Sequence, residues 1–394
     1  MNEYPEFDHY ISETLTQASP PVMHQINSDV QRMREKNVQL YDFGQAIINM
    51  SPPRSVSSFL KSVDWSNPDY QRICPVPGMK SLRKKIAQYR QKVFDKPINE
   101  DNVIVTCGAN HAVYMAINSI SIPQDDVVVF SPYFFNHFIA IQTQELNPHP
   151  IRLGNDMLPD LDLITDDIVN KKAIVLSSPL NPSGTYLSAD QLTGLSKMAQ
   201  SKGTTLILDE TYFEFQKEND PPNLLNDSTI LVGSFSKSMC IAGLRIGYLI
   251  APHNLIEEML KLQDTMVISP NTIGQMAADK GLDEITSHTS KVRKELKKRS
   301  KALSEGLAEI NVFDEIHGDI DLFHFTKLPG KKNGKTVKND VLLAEELLKK
   351  GIIVMPGNVA GQQGYLRWTV GNISTEEISE SIPILKAFFD SYSE

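Results

Sequence analysis

The chain has 394 residues, 41% apolar and 22% charged, enough for two or three domains of about 150 residues and for a large buried core. Its 39 Lys and Arg stand against 48 Asp and Glu, a net charge of −9, the wrong sign for a protein held by nucleic-acid phosphates. Cys74, Cys107 and Cys240 are too scattered for a disulfide framework or a zinc set and suit a reducing compartment.

The opening run Met1 to Asp8 is acidic, with no basic and apolar leader, and no later stretch reaches the roughly 20 apolar residues of a membrane span. The expectation is a cytoplasmic protein with no membrane partner. From about residue 100 to 250, short apolar runs alternate with helix-favouring stretches: Val103–Val105, Val127–Phe130, Ala173–Leu176, Leu206–Leu208, Ile230–Val232 and Gly247–Ile250. Nearly continuous apolar strands separated by helices indicate an α/β fold with a mainly parallel sheet covered on both faces. The charged stretch from about Ile273 to Leu307 predicts one long helix, with Lys297, Lys298, Arg299 and Lys301 on its wet face. A second set follows: a strand at Leu322–Phe325, a helix over Asp340–Lys350, and strands at Ile352–Val354 and Tyr365–Trp368. The expected division is an arm plus part of a small domain in 1–50, a large domain in 51–285 and a small α/β domain in 286–394.

In such sheets ligands bind beyond the carboxyl ends of the strands, so the residues that follow each apolar run carry the chemistry. Val105 leads into Thr106-Cys107-Gly108-Ala109-Asn110-His111, a small-residue turn into a helix whose free amides suit a phosphate. Leu208 is followed by Asp209-Glu210-Thr211-Tyr212, a carboxylate at a strand tip and a phenol three residues on. Val232 leads to Gly233-Ser234-Phe235-Ser236-Lys237-Ser238, with Arg245 eight residues after the lysine. An amine there can form a Schiff base, while the hydroxyls and guanidinium hold a phosphate.

Together these pieces resemble the class I/II aminotransferases, the aspartate aminotransferase-like group of fold-type I pyridoxal phosphate (PLP) enzymes, in order along nearly the whole chain. Asn181-Pro182-Ser183-Gly184 is similar to the family's N-P-[ST]-G signature, Asp209 to Tyr212 to its D-x-x-Y and Ser234 to Lys237 to its S-x-S-K. Gly78 to Arg83 resembles its G-x-x-x-L-R stretch, and Gly44 the glycine near its substrate. The resemblance implies a fold-type I architecture with a seven-stranded large-domain sheet, and Lys237 as the cofactor lysine and proton shuttle. Asp209 would keep the pyridine nitrogen protonated, and Asn181 and Tyr212 would bond the ring's O3′. Gly108, Ala109, Asn110, Ser234, Ser236 and Arg245 would hold the phosphate, and Phe134 would stack on the ring. Gly44, Asn181 and Arg367 would receive the amino acid, Arg367 as a bidentate fork on its α-carboxylate.

Where the family carries a cross-subunit phosphate tyrosine this chain has Ile73; Tyr70, three residues earlier, is the candidate replacement. The arginine that dicarboxylate-specific members carry before a helix has no counterpart in Gln263 to Ser269, which weighs against aspartate as the dedicated substrate. Side chains around Phe43, Gln45, Ile47, Phe134, Phe135, Asp264 and Val359 are expected to set specificity. The stretch Gly330 to Thr336 imitates a phosphate-binding P-loop, but has three residues between its glycines where the motif needs four. It reads as a surface loop, and a nucleotide hydrolase is a poor alternative. No G-x-G-x-x-G follows a strand, and His111, His137 and His149 share no metal spacing; His137 reads as a structural histidine.

The expected function is transfer of an amino group from an amino acid to a 2-oxo acid by a ping-pong mechanism through pyridoxamine phosphate, in a homodimer. The alternative keeps fold and cofactor but runs a lyase, cyclising synthase or oxidase reaction. A non-catalytic PLP-fold binding protein is disfavoured by the intact set Lys237, Asp209 and Arg367.

Overall fold

The computed structural model describes residues 11–20, 22–162, 164–217, 221–329 and 339–391; the P-loop-like stretch from Gly330 and the opening run Met1 to Asp8 lie outside them. Seven strands form the main sheet: β1 (Val103–Thr106), β2 (Asp126–Ser131), β3 (Asn147–Arg152), β4 (Ala173–Ser177), β5 (Thr205–Asp209), β6 (Thr229–Ser234) and β7 (Gly247–Ile250). Their order is β1-β7-β6-β5-β4-β2-β3. β7 runs antiparallel to both its neighbours and the remaining pairs are parallel.

Residues β1, β4 and β6 are buried throughout, as strands covered on both faces require. Alternate residues pack to opposite sides. Val103, Val105, Ile174, Leu176, Leu206 and Leu208 enter one core cluster, while Ile104, Ala173, Val175, Ile207, Ile230 and Val232 enter another. Sequence reading passes over β3, because Pro148 and Pro150 cannot donate to a ladder. At the sheet edge, paired only with β2, those prolines cost little.

The long helix expected from Ile273 to Leu307 is two helices, Thr272–Gly281 and Ile285–Ile310, joined by the turn Leu282–Glu284. The regular helix is lost at Glu284, with φ −104° and ψ 0°, where the chain packs closely on its neighbours. A Cβ on Gly281 would lie 2.7 Å from Val56 Cγ2 and 2.8 Å from Met239 Sδ, and the Glu284 carboxylate accepts from the amides of Arg54 and Ser55 at 3.1 and 3.2 Å. These are free donors at the start of the helix Arg54–Lys61. Arg299 also departs from the expected wet face. It is 7% exposed, on the same side as Val292, Leu296 and Leu303, which are buried in a third cluster.

That cluster lies under a second, antiparallel sheet of β8 (Glu315–His317), β9 (Phe323–Lys327), β10 (Met355–Pro356) and β11 (Tyr365–Thr369), in the order β10-β11-β9-β8. Tyr41–Asp42 pairs in parallel with Ile352–Ile353, and Phe43 packs edge-on to Trp368 at 5.5 Å. The chain near residue 42 is thereby built into the second sheet's core, beside the ends of the main sheet. No helix of the described residues is long and apolar enough to cross a membrane.

Candidate active site

A cavity of about 350 Å³ opens at the carboxyl ends of β4, β5 and β6, whose last residues Ser177, Asp209 and Ser234 line it. Ala109, Asn110, Phe134, Asn181, Tyr212, Ser236, Lys237 and Arg245 complete most of its wall.

At one end the chain presents donors. Gly108 caps the helix Ala109–Ile120 at φ +79°, with no side-chain cap on the helix amides. A Cβ there would stand 2.7 Å from an Arg245 terminal nitrogen, so only glycine lets the guanidinium lie over the turn. Arg245 is itself left-handed at φ +57° and donates to the Ala242 carbonyl at 3.0 Å. Ser234 Oγ accepts from the Ser236 amide at 3.1 Å. Open amides, hydroxyls and a guanidinium in one corner make an anion site.

On the floor, Asp209 is 4% exposed. Its Oδ1 accepts from the Thr211 amide at 2.9 Å and from Thr211 Oγ1 at 2.6 Å, and its Oδ2 from His137 Nε2 at 3.1 Å. Phe134 stands edge-on to the His137 ring at 5.1 Å. Lys237 Nζ donates to the carbonyl of Ala46. Burial first, then the positive charges of Arg367 and Arg245, push its amine down to about 8.

Opposite, Arg367 of β11 is 3% exposed. It donates to Asn181 Oδ1 at 2.8 Å and to the Gly44 carbonyl, and its guanidinium lies 5.5 Å from the centre of the Phe323 ring. Burial lowers it to about 10. Its Nε is buried without a hydrogen-bond partner, a donor suited to a further acceptor. Tyr212 bonds Asn181, and burial raises its phenol well above the usual range.

Lys237, Asp209, Tyr212, Asn181, Arg245, Ser234, Ser236, Phe134, Ala109 and Asn110 thus share one cavity; Gly108 touches its wall at Arg245 and Arg367 at Asn181, and Gly44 reaches it through Arg367. Tyr70 stands apart: it ends the turn Pro68–Tyr70, its ring 6.1 Å from Phe59, and it is not among the described residues lining this cavity. Of the side chains expected to set specificity, Ile47 and Phe134 line the cavity. Phe43 and Phe135 are core residues, Asp264 is exposed on the last turn of the helix His253–Met266, and Val359 lines a separate groove with Pro356 and Asn358. Sequence reasoning missed Thr211 and Ala46. Thr211 follows a buried Asp and could have been found as a local hydroxyl partner, whereas a backbone carbonyl leaves no signal in the residue type. His137, expected as a structural histidine, bonds Asp209, and its place after the aromatic run is the one sequence signal for it.

The family model for aminotransferase class I and II matches residues 50–384. The chain belongs to the class I and II aminotransferase family. This aminotransferase-family chain is 25% identical, over 86% of its length and 90% of the relative's, to a probable aspartate aminotransferase of Methanocaldococcus jannaschii. It is 26% identical, over 91% of each chain, to an aromatic aminotransferase of Arabidopsis thaliana. In structure it resembles the aspartate aminotransferase of Thermus thermophilus with maleate, at a TM-score of 0.86 and 22% identity, over 96% of this chain and 99% of that one. The fold is therefore fold-type I, and as a member of this family the protein is a transferase enzyme.

Proposed function

We propose that this enzyme moves an amino group from an amino acid to a 2-oxo acid with pyridoxal phosphate as cofactor, in two half-reactions of a ping-pong cycle. The observation that carries the reading is the placement of Lys237, with its amine lowered to about 8, in one cavity with a buried Asp209 and the anion corner at Arg245. Bound there, pyridoxal phosphate supplies an electron sink and carries the amino group between the half-reactions.

The residues fit that group. Gly108, Ala109, Asn110, Ser234, Ser236 and Arg245 offer donors for a phosphate. Asp209, held by Thr211 and His137, offers a fixed carboxylate for a ring nitrogen; Tyr212 and Asn181 offer donors for a phenolic oxygen, and Phe134 a ring face. The orphaned Nε of Arg367 suits the α-carboxylate of an amino acid held against Gly44 and Asn181. Lys237, its amine lowered toward physiological pH, would hold the cofactor at its aldehyde carbon with loss of water and, once displaced there by the substrate's amine, would move the proton at the substrate Cα. Arg367, by fixing the carboxylate, would hold the Cα–H bond within reach of that amine.

The division into an arm with part of a small domain (1–50), a large domain (51–285) and a small domain (286–394) belongs to this reading. So do a cytoplasmic location and a homodimer in which Tyr70 reaches the phosphate of a second copy. The test is the visible absorbance of the PLP-loaded protein. A donor amino acid should remove the yellow band and a 2-oxo acid should restore it; release of ammonia or a band that never changes would contradict transamination.

A further inference from the structure

We infer that the substrate's side chain is apolar and that Ile47 is the residue that reads it, an inference resting on the transamination reading above. The segment leading from Phe43 to Met50 alternates over three residues, with Ile47 and Asn49 exposed and Ile48 between them buried. Ile48 is 3% exposed, while Ile47 is 37% exposed and lines the cavity. A large apolar side chain displayed inside a site gains by having its remaining surface covered.

Its backbone is fixed on both sides. The Phe43 carbonyl accepts from the Thr369 amide at 2.8 Å, the Gln45 carbonyl from Thr369 Oγ1 at 2.9 Å, and the Asn49 amide donates to the Gly371 carbonyl at 2.9 Å. Arg299 ties down Asn49 Oδ1 at 2.8 Å. A Cβ on Gly371 would come within 2.3 Å of the Ile47 carbonyl oxygen, so the two backbones lie in contact. Ile47 is therefore presented rigidly, the kind of support a discriminating contact needs.

Its position is also the relevant one. The carbonyls of Gly44 and Ala46, on the same short segment, receive Arg367 and Lys237. A substrate with its carboxylate on Arg367 and its Cα beside Lys237 lies against this segment. Among the described residues the cavity-lining cations are Lys237 and Arg245; the first serves Cα and the second lies over the Gly108 turn. A second substrate carboxylate set beside Ile47 would meet an apolar side chain, at a large desolvation cost.

The test uses the PLP-loaded protein and two readouts. In the first, calorimetry compares unreactive 4-methylpentanoate with butanedioate. In the second, loss of the visible band gives the concentration of L-leucine, L-methionine, L-aspartate or L-glutamate needed for half-conversion. The apolar ligands and donors should bind or convert at concentrations at least about tenfold lower than the acidic ones, since one pocket methylene alone is worth about tenfold or more. Ile47→Ala should raise the L-leucine requirement about tenfold, and Ile47→Arg should shift the leucine-to-aspartate preference toward aspartate, with the yellow band in each variant reporting an intact site. Equal or better use of the acidic compounds by the wild type, or an unchanged preference in Ile47→Arg, would overturn the inference while leaving transamination intact. A band that no amino acid alters would overturn both.

Discussion

His137 donates from Nε2 to Asp209 Oδ2 across 3.1 Å, with both side chains buried. Together with Thr211 on the other oxygen, this bond fixes the carboxylate plane at the tip of β5. A hydrogen bond to a charged group contributes about 1.5–3 kcal/mol. His137→Phe should therefore weaken PLP binding by roughly tenfold to a hundredfold, measured by absorbance titration of the apoprotein. Unchanged affinity would remove His137 from the account.

Lys237 makes the folded state pH-sensitive. Its amine falls from 10.5 to about 8, mainly through burial and then through Arg367 and Arg245. The unfolded chain thus binds more protons between those values, and stability of the apoprotein rises with pH across that window. The penalty is fully present below about pH 8 and gone above 10.5. Relative to wild type, the melting temperature of apo Lys237→Met should move in the variant's favour as pH drops from 10.5 to 8, and the rate of PLP incorporation into the wild type should rise with an apparent pKa near 8.

Behind Asp209 lies a buried cluster in which Arg90 pairs with Glu210 and stacks 4.3 Å from the Phe213 ring centre. Glu214 accepts there from Tyr89 Oη at 3.1 Å, and burial raises its carboxyl from 4.5 to about 7 against the pull of Arg90. The folded form binds the extra proton, so this group's contribution falls as pH rises from 4.5 to 7. Glu214→Gln should gain about 3 kcal/mol on the wild type at pH 8 compared with pH 4, read from urea unfolding at the two pH values.

Gly108 combines a φ of +79° with contact to Arg245. Gly108→Ala adds a side chain that costs about 1–3 kcal/mol in this backbone region, which glycine alone adopts readily, and pushes the guanidinium from the turn. The expected outcome is a folded protein, by circular dichroism, whose PLP affinity falls by about tenfold or more.

The strands of the main sheet are legible where apolar runs are continuous, and Lys237, Asp209 and Asn181, at or just after strand ends, are legible as residues that come together in one cavity. Legibility fails where tertiary context overrides local pattern. Pro148 and Pro150 hid β3 because proline is unfavourable in all but edge strands, and edge position is not visible in a run of six residues. Glu284 stands in a charged, helix-favouring stretch, and its bonds to the amides of Arg54 and Ser55, which mark the turn between the two helices, are tertiary and leave no local pattern. Arg299 stood in a basic run that looked solvated, while its helical phase puts it beside Leu296 and Leu303. The parts of the site made by backbone, the carbonyls of Gly44 and Ala46, depend on where the chain runs and not on which residues occupy it.

Borohydride reduction of the PLP-loaded protein, followed by peptide mass spectrometry, reads whether Lys237 holds the cofactor. A stable pyridoxyl adduct on Lys237, absent from Lys237→Ala, is the expected result. An adduct confined to other lysines, or none on the loaded protein, would contradict it.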